Sequence, residues 1–141
     1  MKKFQKNNVI ETIAFLYIKD KKLLLVRSKG KKAFYMPGGK RERREIHQET
    51  LLREIKEELQ IKLNPSSVTF FGRFEAQAYG KEKGVLVRIY CYQSRYVGEL
   101  KKGAEIEELD FFSHSEYLRQ TETAPAVRLI FDDLKKKKLV K

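Results

Sequence analysis

Residues 47–59 carry two opposed patterns at helical spacing, and few folds accommodate both. Leu51, Leu52, Ile55 and Leu59 recur at offsets that place them along one side of an α-helix. Glu54, Glu57 and Glu58, at i, i+3 and i+4, share another side, because 3.6 residues complete a turn. The apolar side must pack against a core, and the acidic side must stay accessible. Like charges this close repel one another, and helix propensity gives no reason to cluster them. A hard divalent cation such as Mg2+ or Mn2+ does, since it takes carboxylate oxygen and relieves the repulsion. Pro37-Gly38-Gly39 supplies a sharp turn that leads into this helix. The pattern reads as a metal site built for phosphate chemistry.

The flanking sequence supplies the rest of a mixed domain. Residues 9–18 are largely apolar and rich in β-branched and aromatic side chains. Lys19-Asp20-Lys21-Lys22 interrupts them and residues 23–27 resume, which predicts a β-hairpin. Residues 30–36 read as a loop and 64–67 (Asn-Pro-Ser-Ser) as a turn. Residues 68–78 and 85–96 read as two long strands joined by a second hairpin at 79–84. After a loop over 98–103, residues 109–112 make a short strand. A last helix over 124–134 carries Val127, Ile130, Phe131 and Leu134 on one stripe. Mixed strands with helices on either side predict an α+β, three-layer fold, and 141 residues fit one domain spanning 1–141.

Composition narrows the function. No apolar run is long enough to span a membrane, and the basic start MKKFQKNN lacks the apolar core of a secretory signal. Cys91 is the one cysteine, so no disulfide framework exists; it reads as a buried thiol, and the expected location is cytoplasmic. The net charge of +12 suits a polyanionic partner, either nucleic acid or a small nucleotide. The lysines are scattered through turns, and the run at 135–138 ends a helix, where cations offset the macrodipole. No basic stripe interleaved with aromatics is evident, so a nucleotide is preferred to nucleic acid and an RNA-processing role rests on charge alone. Lys40 and Arg27 are candidate phosphate contacts. Tyr79, with Tyr35, Phe34 and Phe74, is a candidate to stack on a base. A homodimer is left open.

The stretch from Gly39 to Ile61 resembles the Nudix box of the Nudix (MutT-like) hydrolases, G-x5-E-x7-R-E-U-x-E-E-x-G-U with U aliphatic. Gly39, Glu45, Arg53-Glu54, Ile55, Glu57-Glu58 and Ile61 fall at the required spacing over 23 of 141 residues. Gln60 departs from the pattern, standing where the family has its last glycine. Arg44 occupies a free position at which many members have a further one.

The resemblance implies an α/β/α sandwich and metal-dependent hydrolysis of a nucleoside diphosphate linked to another group. It implies Glu54, Glu57 and Glu58 as metal ligands together with the backbone near Gly39, and Arg53 as the residue that orients a glutamate. Glu45 is either a helix-dipole partner or an outer-shell group. The general base varies in the family; Glu105, shortly before the strand at 109–112, is the choice here as base or extra ligand, over Glu99, Glu107 and Glu108.

The simplest substrate is a nucleoside triphosphate, cleaved to the monophosphate and pyrophosphate. ADP-ribose or dinucleoside polyphosphate hydrolysis is an alternative, as is a non-catalytic nucleotide-binding regulatory module, although every box glutamate is present. The proline of ADP-ribose hydrolases and the motif of NADH hydrolases are absent. So is the asparagine that guanine-selective members carry before the last helix, where residues 121–126 read Thr-Glu-Thr-Ala-Pro-Ala.

Overall fold

The apolar runs near the N-terminus are buried on both faces, and this places them at the centre of the molecule. A computed structural model describes residues 8–141. Strand β1 (Val9–Phe15) turns Ile13 and Phe15 to one core and Ala14 to another. The later strand β3 (Lys22–Ser28) divides Leu24 and Val26 from Leu23 and Leu25 in the same way. A strand covered on both faces needs a continuous apolar run rather than an alternating one.

These two strands do not form the hairpin that their proximity in sequence suggests. Strand β1 pairs in parallel with β7 (Leu86–Gln93), from Val9 opposite Leu86 to Phe15 opposite Tyr92. Only the two-residue β2 (Ile18–Lys19) turns back on β3, through Asp20 and Lys21 at φ 53° and 65°. The chain changes sheets at Leu16 and Tyr17, where Leu16 N–H still donates to Tyr92 O while Tyr17 O already accepts from Leu24 N–H.

The main sheet runs in the order β4 (Gly38–Gly39), β1, β7, β6 (Thr69–Gln77), and β6 and β7 form the expected hairpin with a bulge at Phe71. A second sheet joins β2 and β3 to β9 (Ile106–Phe112), which starts three residues earlier than the sequence suggests. A small ladder pairs β5 (Lys62–Leu63) with β8 (Tyr96–Val97).

Helix α1 (His47–Leu59) buries Leu51, Ile55 and Leu59 against one face of this assembly. Helix α3 (Pro125–Lys136) buries Val127, Ile130, Phe131 and Leu134 against the other. The three-layer α+β arrangement expected from the sequence is therefore observed. Between β9 and α3 lies a helix not anticipated, α2 (His114–Leu118). Ser113 Oγ accepts from Glu116 N–H, and the Glu116 carboxylate accepts from Ser113 N–H, a reciprocal cap that nucleates a single turn. Cys91 is buried as expected, and burial pushes its thiol up to about 12.

Both positions at which this chain lacks a family glycine adopt left-handed backbone. Gln60 ends α1 at φ 57°, ψ 35°, and Arg44 sits at φ 69°. That conformation costs a residue with a Cβ about 1 kcal/mol. Gln60 offsets the strain by donating from Nε2 to Lys102 O at 2.8 Å, whereas Arg44 makes no side-chain hydrogen bond among the described residues. Arg44→Gly should therefore raise the melting temperature by about 2 °C, and Gln60→Gly should change it by less. Thermal unfolding of the two variants checks this order, and a loss of stability at Arg44→Gly would contradict it.

Candidate active site

The acidic side of α1 faces the turn that precedes it, and one arginine organises the approach. Arg53 reaches back to Glu45 in a fork, Nε to Oε2 at 2.7 Å and Nη2 to Oε1 at 2.9 Å. Glu45 Oε1 also accepts from Glu42 N–H and from the hydroxyl of buried Thr50, each at 2.8 Å. With the guanidinium foremost among these donors, the Glu45 carboxyl is held down to about 2. Glu45 is thus an anchor for Arg53 and lies ahead of α1 rather than within its first turn. From this anchor Arg53 Nη1 donates to Glu54 Oε2 at 2.9 Å, and Nη2 to Lys40 O at 3.2 Å. The arginine is bound on three sides, which fixes the direction of the Glu54 side chain.

Glu58, one turn further on, accepts from Gly38 N–H at 2.9 Å. Burial, with Glu54 and Glu57 adding repulsion, pushes its carboxyl up to about 8 despite that bond. Glu54 is shifted upward as well, chiefly by desolvation and against the pull of Arg53. Glu57 stands outermost, its side chain 64% exposed. Gly39 packs its backbone against Glu54 so closely that a Cβ there would lie 2.4 Å from the carboxyl carbon.

Among the described residues no three acidic, histidine or cysteine side chains converge as a ready-made cation cage. Arg53 holds Glu54 and the Gly38 amide holds Glu58. The donor set nonetheless fits a hard divalent cation. Three carboxylates lie within five residues of one helix, and two of them are penalised by burial and by their neighbours' charge in a way that a cation relieves.

A cleft of about 390 Å³ opens beside Gly38 and Glu58. Lys31, Lys40 and Lys81 line it, together with Tyr35, Tyr79 and apolar residues such as Met36 and Val87. Two candidate substrate residues, Lys40 and Tyr79, therefore lie at the cleft. Arg27 does not: its guanidinium donates to Glu108 Oε1 at 2.6 and 3.0 Å and to Lys31 O at 2.9 Å. Phe34 is also withdrawn, packed on Phe112 at 4.7 Å between centroids, and Phe74 packs against the α3-side core.

Glu105 stands apart from the box. Its carbonyl accepts from Lys29 N–H at 2.9 Å, and its exposed carboxylate neither bonds to the box glutamates nor lines the cleft. Its loop does reach the end of α1, where Gly103 N–H donates to Glu58 O at 2.8 Å and Lys101 N–H to Leu59 O at 3.0 Å. These bonds satisfy carbonyls that the helix leaves open. Nothing in their sequence neighbourhood marks Lys31 or Lys81, because a lysine in a turn is ordinarily just solvated.

Residues 8–134 match the sequence model of the NUDIX domain. No curated protein matches the chain in sequence. Solved structures share the fold. The E. coli ORF135 protein is 24% identical, covering 92% of this chain and 91% of its own, with a TM-score of 0.70. A MutT Nudix hydrolase from Burkholderia pseudomallei is 21% identical over 88% and 96%, with a TM-score of 0.69. A MutT protein from Methanosarcina mazei is 20% identical over 92% and 95%, with a TM-score of 0.70.

Proposed function

Because the chain belongs to the Nudix family, hydrolases of phosphoanhydride bonds in nucleotide-linked substrates, we propose that it cleaves a nucleoside triphosphate to the monophosphate and pyrophosphate. The observation that carries this reading is the cleft, which three lysines and two tyrosines line together with half-buried Glu58. Its volume lies in the range of small-molecule sites. The lysines suit a chain of phosphates, and the apolar wall with its rings suits a base. Nudix hydrolases generally need a divalent metal, and here Glu54, Glu57 and Glu58, with the backbone at Gly39, are the residues that would hold Mg2+ or Mn2+. Such a cation, when bound, neutralises charge on the attacking and leaving oxygens.

The chain's own groups supply the positioning. Arg53, anchored on Glu45, orients Glu54, and the Gly38 amide orients Glu58. Glu58 holds a proton near neutral pH in the metal-free chain, and a cation must displace it. Glu105 remains a proposed base or extra ligand, its loop bonded to the end of α1 while its carboxylate stands apart from the box. No helix among the described residues is long and apolar enough to cross a membrane.

A panel of nucleoside triphosphates, ADP-ribose and dinucleoside polyphosphates, with Mg2+ and with Mn2+, tests the reading once products are separated by chromatography. Pyrophosphate and monophosphate are expected. Orthophosphate as the direct product, or turnover confined to ADP-ribose, would overturn it. The lysine-lined cleft and the charge of +12 also predict that kcat/KM falls as salt is added, because a polyanion's attraction is screened. Rates measured between low and physiological ionic strength check that slope.

A further inference from the structure

Two parts of the cleft lining are tied to one short segment, the connection between α2 and α3. Tyr117, fully buried, donates from its hydroxyl to Phe34 O at 2.9 Å and accepts there from Ala124 N–H at 2.9 Å. Phe34 lies between Ala33 and Tyr35, which line the cleft. Two residues before Ala124, the Glu122 carboxylate accepts the hydroxyl hydrogen of Tyr79, which lines the cleft as well.

The tip that carries Tyr79 is itself folded by one side chain. The Gln77 carboxamide donates to Ala78 O, Lys81 O and Glu82 O at 3.3, 3.3 and 2.8 Å and accepts from Gly84 N–H at 2.9 Å. Gly80 and Gly84, at φ 75° and 100°, allow the chain to wrap around it. The tip is thus internally ordered, and Glu122 is what its ring is fastened to.

We infer that Glu122 is a positioning residue for the substrate's base: through Tyr79 it fixes the aromatic wall on which the base stacks. The inference rests on the nucleotide reading of the cleft. A ring held at its hydroxyl is already fixed in one orientation, and stacking then costs little ordering on binding. Released from Glu122, the ring must be ordered by the substrate itself, which weakens binding and leaves the chemistry at Glu54 and Glu58 unchanged. Charge makes the opposite prediction. Removing a carboxylate near a polyanion should by itself tighten binding, so a weakened substrate cannot be an effect of charge.

Steady-state kinetics of the full chain on a nucleoside triphosphate, with inorganic tripolyphosphate as a base-free competitive inhibitor, tests this. Glu122→Ala and Tyr79→Phe should each raise KM about tenfold with kcat little changed, and the double variant should be no worse than either single. Glu122→Gln, whose carboxamide oxygen still accepts the tyrosine hydroxyl, should stay near wild type. The inhibition constant of tripolyphosphate should not rise in any of them. An unchanged KM in Tyr79→Phe, a variant that keeps the ring and its packing, would overturn the inference even if Glu122→Ala failed to fold. So would Glu122→Gln behaving as Glu122→Ala, or equal weakening of tripolyphosphate. Absence of turnover of every nucleoside triphosphate by the wild-type chain would instead overturn the reading beneath it, and is seen before any variant is made.

Discussion

Replacing Glu58 by glutamine is expected to lower kcat/KM by about two orders of magnitude or more, about 3 kcal/mol of barrier, while leaving the metal-free fold no less stable. Glutamine keeps the size of the side chain, and its carbonyl oxygen still accepts from Gly38 N–H. It removes a charge that the fold pays for and that a cation requires. The pH dependence has a definite sign. The Glu58 carboxyl rises from 4.5 to about 8 on folding, so between these values the unfolded chain has lost a proton that the folded chain keeps. Folding then takes up a proton, and the contribution of Glu58 to stability declines as pH rises through that window. Glu58→Gln cannot ionise and should flatten the decline. Cation affinity should rise over the same range, because binding must expel the proton, and metal-induced stabilisation should shrink in the variant. Glu54→Gln and Glu57→Gln belong to the same test. Thermal unfolding across pH with a chelator or with Mg2+, beside kcat/KM, reads all of this. Near wild-type turnover of Glu58→Gln at saturating Mg2+ would refute the assignment.

What could be read from sequence was what depends on local spacing. The ends of α1 fall where the apolar and acidic patterns begin and stop, and three glutamates within one turn and a half cannot avoid each other. The β6–β7 hairpin was equally local, because its turn and its strands are contiguous. Strand β1 was misjoined to β3 because apolar runs buried on both faces carry no alternation to fix a partner, and the true partner, β7, lies some 77 residues away in sequence. Helix α2 was legible but overlooked: Ser113 and Glu116 have the spacing of a reciprocal cap, although the stretch reads as merely polar. The cleft was not legible. Lys31, Lys81 and Glu122 are turn and loop residues whose sequence neighbours say nothing of what they face, and the hydroxyl of Tyr117 matters only once the loop at Phe34 and the start of α3 meet. Arg27 is the opposite case. A cation at a strand end resembles a phosphate contact until β9 brings Glu108 across from it.

Gly38→Ala and Gly39→Ala, although adjacent, are expected to fail in different ways. A Cβ at Gly38 would stand 2.0 Å from Ile13 O and 2.8 Å from Ala14 Cα, on a backbone at φ 145° that side chains rarely adopt. Those are main-chain atoms of β1 and cannot turn aside, so β4 must part from the sheet and the Gly38 amide must leave Glu58. A loss of more than about 3 kcal/mol of stability is expected, with activity lost as a consequence. A Cβ at Gly39 would instead meet Glu54 at 2.4 to 2.7 Å, all at the carboxyl end of a side chain that can rotate. The fold should survive within about 1 kcal/mol. The carboxylate, however, is driven from the place where Arg53 holds it at 2.9 Å, and a displacement of about 1 Å in a catalytic group can cost 10²-fold in rate. Melting temperature and kcat/KM, measured on both variants, separate the two effects. Normal activity in Gly39→Ala would show that the position of Glu54 does not matter to the reaction, and an unchanged melting temperature in Gly38→Ala would show that β4 is not seated against β1.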